Sequence, residues 1–227
     1  MNELSSRLSQ VQTQIRDFAL SCDRDPDDIT LVAVSKTRPA SDIQQAFEAG
    51  QKIFAENYLQ DALPKILALK DFSIEWHFIG RIQSNKTRHI AENFSWVHTV
   101  ASYKHGRRLS DQRPAKLLPL KLCIQLNLTG EQSKAGIHQQ ELLPLLEKLS
   151  DLPHIEVKGL MTMPPAAASV EQQHQVFGQL RTVMLNAIDN GHKLDTLSMG
   201  MSGDMQAAIC EGATMVRIGT AIFGKRT

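Results

Sequence analysis

Residues 194–219 read LDTLSMGMSGDMQAAICEGATMVRIG, a segment with the pattern of one unit of a parallel α/β fold. The apolar runs at its two ends have the length and composition of buried strands. Between them, Met205, Ala208 and Ile209 share one face of a short helix. Gly212 is placed to end that helix, because glycine readily adopts the backbone conformation found at helix C-termini. The stretch therefore predicts a strand–helix–strand unit, the building block of a parallel sheet.

The same alternation extends along the whole chain. An amphipathic segment from Leu4 to Phe18 predicts an opening helix that docks on the body of the protein. Strands are then predicted at residues 30–36, 52–57, 74–80, 95–100, 121–128, 155–163, 194–200 and 213–219. Eight such units in 227 residues predict an α/β fold, a single (β/α)8 TIM barrel domain over residues 1–227 with an extra N-terminal helix. The alternative is an open doubly wound sheet, although no G-x-G-x-x-G motif follows the first strand.

Composition narrows the class of protein. With 25 basic and 24 acidic residues the formal net charge is +1, which disfavours nucleic acid and anionic membranes as partners. No apolar run approaches the roughly 18 residues of a membrane span, and the N-terminal segment is unlike a signal peptide. Cys22, Cys123 and Cys210 lie far apart, which argues against a disulfide framework or a structural zinc site. We therefore expect a cytoplasmic protein with reduced cysteines and Cys123 in the core.

Polar residues occur where the predicted strands end. The active site of a barrel lies at the carboxyl ends of its strands, so residues there are expected to converge on one pocket. Lys36 ends the first run, Asn57 the second and Arg217 lies near the end of the eighth. His77, within the third run, is predicted to be a structural core histidine. Lys134, in the loop after the fifth run, is predicted to be a solvated surface lysine.

Lys36 and the last two loops indicate the ligand chemistry. A lysine at the end of an apolar strand loses hydration, which lowers its pKa and favours a Schiff base with a carbonyl. The alternative is that Lys36 extends to solvent at the rim of the barrel. Ser198, Gly219 and Thr220 follow the strands after which barrels commonly bind phosphate. Ordinary turn chemistry is the alternative there, with Ser202 as a helix N-cap. Together the features favour a sugar phosphate in an aldolase, or pyridoxal 5′-phosphate (PLP).

Several motifs carry a family resemblance. WHFIGRIQSNKTRHI at residues 76–90 resembles the signature segment of the pyridoxal phosphate homeostasis proteins (the YggS family). LVAVSKTRP, ENY and SMGMSGDMQAAICEGATMVRIGTAIFG fit the pattern of that family in the same order. The match spans residues 31–224, and Ala55 departs from it where the family usually has glycine.

The resemblance implies a barrel like the N-terminal half of bacterial alanine racemase, with PLP as its cofactor. By matching motif positions it implies the cofactor-binding set Lys36 (Schiff base), Asn57, Ser198, Arg217, Gly219 and Thr220. Within that set Ser198, Gly219 and Thr220 hold the phosphate, and Arg217 faces the pyridine nitrogen. An arginine keeps its proton, so it leaves that nitrogen unprotonated and the ring a weak electron sink.

The resemblance also implies a role in intracellular PLP homeostasis. The protein is expected to store, buffer or deliver PLP, with PLP-dependent apoenzymes as recipients, without robust turnover and as a monomer. The alternative is a PLP-dependent amino-acid racemase. Racemases take a tyrosine acid/base from a second domain, whereas this chain has only Tyr58 and Tyr103.

Overall fold

The computed structural model describes residues 3–129, 135–165 and 168–224, so the prediction for Lys134 lies outside the described residues. Eight strands form a closed barrel in sequence order, every pair is parallel, and the last strand pairs with the first. The strands are β1 Thr30–Val34, β2 Ile53–Glu56, β3 Glu75–Phe78, β4 Trp96–Val100, β5 Leu120–Gln125, β6 Ile155–Met161, β7 Thr196–Ser198 and β8 Met215–Ile218. The predicted (β/α)8 barrel is confirmed.

Helices follow the strands around the barrel. They are α1 Glu3–Ser21, α2 Ala40–Glu48, α3 Leu59–Ala68, α4 Thr87–Asn93, α5 Tyr103–Gln112, α6 Leu142–Ser150, α7 Val170–Asp189, α8 Met205–Cys210 and α9 Thr220–Phe223. The longest of them, α7, begins at a capping box in which Ser169 and Gln172 each bond the other's backbone N–H. Across the described part of the chain, no helix is both long enough and apolar enough to cross a membrane.

The extra N-terminal helix packs against the barrel's outer helices. Leu8, Val11, Ile15 and Ala19 are buried on one face of α1, which contacts α2, α8 and α9. The internal docking predicted for this helix is confirmed.

The prediction about the cysteines is correct for one residue and wrong for the other two. Cys123 is free and fully buried inside the barrel, and burial raises the pKa of its thiol. Cys22 and Cys210, however, are joined in a disulfide across 188 residues of sequence. The packing of α1 on α8 brings the ends of these two helices together, which the spacing of cysteines along the chain does not show.

Two layers of buried side chains surround the strands. The outer layer lies between strands and helices and includes the fully buried Phe54, Phe94 and Phe177. The inner layer is a small apolar cluster of Val32, Val34, Ala55, Trp96, Cys123, Met161 and Met215. The barrel also buries His77, His98, Ser198 and Arg217, although branched apolar residues usually dominate barrel interiors. Polar groups buried in this way need hydrogen bonds to one another to offset the loss of water.

Candidate functional site

A cavity of about 290 Å³ opens at the carboxyl ends of the strands. Five of the six residues that the sequence analysis assigned to cofactor binding line it, namely Lys36, Asn57, Arg217, Gly219 and Thr220. Its volume is close to the lower end of the roughly 300–1,000 Å³ typical of ligand pockets. Residues from β1, β2 and the β8 end thus meet in one small site, as the barrel geometry requires.

Ser198 is the exception among the six. It is fully buried at the end of β7, and its Oγ accepts a hydrogen bond from Arg217 Nη1 at 2.7 Å. The same Oγ lies 2.7 Å from His98 Nδ1. The described lining of the cavity includes Ser202 and Gly203 instead.

Ser202 is the residue that sequence reasoning passed over. The sequence predicts it only as a helix N-cap, whereas the N-cap of α8 is Asp204, whose Oδ1 accepts from Met201 N–H at 2.5 Å. The segment SMGMS contains two serines four residues apart, Ser198 and Ser202, and either could supply a hydroxyl to the cavity. The choice between them depends on which one faces the barrel interior, and the sequence does not show that.

Arg217 is a buried cation beside the cavity. Besides Ser198 it donates from Nη2 to the carbonyl of Thr162 at 3.2 Å. Burial lowers the pKa of Arg217 to about 10, and the charge of Asp204 opposes that shift. The guanidinium therefore remains protonated at neutral pH.

Asn57 presents an unsatisfied acceptor at the cavity. Its Oδ1 is buried and has no hydrogen-bond partner among the described residues. An unpaired buried acceptor costs about 1–3 kcal/mol, so a donor on a bound ligand would offset that cost. Gly80, from the WHFIG segment, lies against the same residue: a Cβ at this position would fall 1.8 Å from the Asn57 carbonyl oxygen. Glycine at position 80 is therefore what lets the end of β3 approach the end of β2 so closely.

A buried ion pair supports the segments that carry Lys36 and Asn57. Lys65 Nζ, on α3, donates to Glu56 Oε1 at 2.7 Å and to the Ser35 carbonyl at 3.0 Å. Ser35 Oγ also donates to Glu56 Oε1, at 2.7 Å. Burial raises the pKa of Glu56, and the hydrogen bonds from Lys65 and Ser35 oppose that rise. Because Ser35 and Glu56 directly precede Lys36 and Asn57, the pair fixes the chain at the cavity wall.

Replacing Lys65 should destabilise the protein in a pH-dependent way. Lys65→Met leaves Glu56 buried without its cation, which costs about 3–5 kcal/mol of unfolding free energy. Without Lys65 the pKa of Glu56 rises further above its ordinary value of 4.5. A carboxyl whose folded-state pKa is raised destabilises the fold as pH rises through that interval, so the deficit should shrink on acidification. Urea unfolding of variant and parent at about pH 8 and about pH 5 measures this difference.

The double variant Lys65→Met/Glu56→Gln is the control for the buried charge. It should regain part of the lost stability and, because position 56 then has no carboxyl to ionise, lose the extra pH dependence of Lys65→Met. A deficit in Lys65→Met that is the same at both pH values would show that lost packing, not an uncompensated carboxylate, is the cause.

Comparison with known proteins places the chain in a family. Residues 8–227 match the family model described as alanine racemase, N-terminal domain. The pyridoxal phosphate homeostasis protein of Pseudomonas aeruginosa is 50% identical over 226 residues, covering 100% of this chain and 97% of that protein. The Escherichia coli K12 protein of the same name is 46% identical over 229 residues, covering 100% of this chain and 98% of that protein.

A solved structure supports the same family assignment. PipY of Synechococcus elongatus PCC7942, determined with PLP bound, is 35% identical, with a TM-score of 0.88 over 98% of this chain and 100% of that one. The fold, the order of the motifs and the full-length similarity point to one assignment. The chain belongs to the family of pyridoxal phosphate homeostasis proteins, built on the alanine racemase N-terminal domain.

Proposed function

We propose that this protein binds PLP, holds it covalently through Lys36 and serves PLP homeostasis in the cytoplasm. In this role it stores or buffers the cofactor, or delivers it to PLP-dependent apoenzymes. The main support for the proposal is the cavity in which Lys36, Asn57 and Arg217 meet Gly219 and Thr220. The PLP-bound structure of the 35% identical PipY supports the choice of ligand.

The residues of the cavity fit the chemical groups of PLP. When bound, PLP supplies an aldehyde that reacts with a primary amine, a phosphate dianion and a pyridine nitrogen that accepts hydrogen bonds. Lys36 is the amine that lines the cavity. Ser202 and Thr220 bring hydroxyls and Gly219 an unobstructed backbone, which suit a phosphate. In this proposal Ser198 acts through Arg217, to which it is hydrogen-bonded, while Asn57 satisfies its orphaned oxygen with a donor on the ligand.

The same residues favour holding the cofactor over using it. Arg217 stays charged, so it can donate a hydrogen bond to a ring nitrogen but does not transfer its proton there. Tyr58 and Tyr103, the two tyrosines of the chain, are 56% and 37% exposed, and neither is among the residues lining the cavity. We therefore propose no robust turnover. Because α1 buries its apolar face within the same chain, we also propose a monomer.

Covalent attachment should map to Lys36. After incubation with PLP and reduction with borohydride, peptide mass mapping should find the pyridoxyl group on the peptide that contains Lys36. Lys36→Ala should lose the adduct, whereas Lys104→Ala, on the exposed face of α5, should keep it. Full labelling of another lysine in Lys36→Ala would contradict the assignment.

Binding of the PLP phosphate should depend on the Ser202 hydroxyl. A hydrogen bond to a charged group contributes about 1.5–3 kcal/mol, so Ser202→Ala should weaken PLP binding about tenfold or more. Binding of pyridoxal, which has no phosphate, should change little. Ser198→Ala is the matched control, because its hydroxyl faces Arg217 and should affect both ligands alike. If titration shows that Ser198→Ala alone removes the preference for PLP over pyridoxal, the phosphate role belongs to Ser198.

Amino-acid racemisation should be far slower than in an enzyme. The reaction needs a base on one face of the Cα and an acid on the other, and the described cavity lining offers Lys36 but no phenol. Typical enzymes turn over at about 1–1,000 per second, and we expect rates orders of magnitude lower. PLP-loaded protein is incubated with single enantiomers, and the mirror form is followed by chiral chromatography. Turnover in the enzyme range that disappears in Lys36→Ala would establish a racemase instead.

A further inference from the structure

A continuous line of hydrogen bonds crosses the barrel and ends at Arg217. Glu75 Oε1 lies 3.2 Å from His77 Nε2, and His77 Nδ1 lies 2.9 Å from His98 Nε2. His98 Nδ1 lies 2.7 Å from Ser198 Oγ, which accepts from Arg217 Nη1 at 2.7 Å. We call these five residues the relay. Because β4 and β7 are not neighbours in the barrel, the contact between His98 and Ser198 passes through the interior.

The two ends of the relay fix every proton within it. A guanidinium only donates, so Ser198 Oγ must accept from Arg217. The hydrogen bond from His77 is the main cause that lowers the pKa of Glu75, which is therefore a carboxylate and only accepts. It follows that His77 carries its proton on Nε2, His98 likewise, and Ser198 donates to His98 Nδ1.

Both imidazoles in this arrangement are neutral. Burial is the main cause that lowers the pKa of His77 and of His98, and the charge of Arg217 adds to the effect on His98. Trp96 supports the far end, since its Nε1 donates to Glu75 Oε1 at 2.7 Å and its ring stacks on His77. The relay therefore has one hydrogen-bonding pattern, in which each donor points away from Arg217.

This hydrogen-bonding pattern makes Ser198 Oγ an acceptor for Arg217. The hydroxyl proton of Ser198 is engaged by His98, so a lone pair of Oγ is held toward the guanidinium. A second acceptor, the Thr162 carbonyl, engages Nη2. With two of its nitrogens held in this way, the guanidinium is fixed in orientation while it lines the cavity.

We propose that His98 and His77 are positioning residues that aim Arg217 at the ring nitrogen of the bound cofactor. They make the site selective for a ligand with an acceptor nitrogen at that position. The inference rests on the proposed function, since it takes PLP as the ligand. Glu75, His77 and His98 are absent from the described cavity lining, so they act only through Ser198 and Arg217.

The test compares PLP with its 1-deaza analogue, in which a C–H replaces the ring nitrogen. Dissociation constants for both are measured by titration on the full chain. The parent protein should prefer PLP about tenfold or more, the size expected for one hydrogen bond from a charged donor. His98→Leu should reduce that preference toward one while leaving the affinity for the deaza analogue unchanged. His98→Gln should retain most of it, because an amide can accept from Ser198 and donate to His77.

Two further variants keep the test decisive. Ser198→Ala breaks the same link with a smaller change in volume, so it should reproduce the loss if His98→Leu does not fold. His89→Leu, whose imidazole on α4 is 55% exposed, is the control and should leave both constants unchanged.

The possible results separate the inference from the proposed function. If His98→Leu and Ser198→Ala weaken both ligands by the same factor, the relay only stabilises the barrel and the inference is overturned. If the parent protein binds PLP and the deaza analogue equally, Arg217 does not read the ring nitrogen; the inference is overturned and the proposed function stands. If the parent protein binds no PLP, the proposed function fails and the inference fails with it.

Discussion

The pairing of β8 with β1 is the constraint on which the site depends. Val32 lies opposite Arg217 and Ala33 opposite Ile218 in this parallel ladder, which closes the barrel. Closure brings the end of the first strand, with Lys36, beside the residues that follow the last strand. The first and last strands of the barrel thus supply neighbouring parts of the wall of one cavity. An open sheet would leave these strands at separate edges.

Closure also creates an interior that must accommodate charge. Arg217 and the pair Glu56–Lys65 are buried, and burial of an ion costs several kcal/mol unless hydrogen bonds compensate. The two sites are compensated differently. Glu56 contacts a cation directly, whereas Arg217 contacts neutral acceptors and is connected to the Glu75 carboxylate only through Ser198 and two histidines. The first arrangement fixes backbone at the cavity wall, and the second leaves the remaining donors of the guanidinium for a ligand.

These features together describe a protein suited to retaining a cofactor. In the proposed function each group that PLP presents has a counterpart among the described lining residues, while the two tyrosines are exposed. The charge of Arg217 favours binding to a neutral ring nitrogen, and a neutral ring stabilises carbanions poorly. Retention and weak catalysis thus have the same structural origin in this proposal.

The architecture and the general position of the site could be predicted from the sequence. Short apolar runs and helical spacing are local properties, so their alternation predicted eight strands and the barrel that they form. Strand-end position alone directed attention to Lys36, Asn57 and Arg217. Three features depend on the tertiary structure: the presence of Ser202 rather than Ser198 at the cavity, the Cys22–Cys210 disulfide and the relay across the barrel. Each depends on which side chains of distant segments face one another. Strand register and helix packing determine which distant side chains meet, and residue spacing along the sequence reveals neither the register nor the packing.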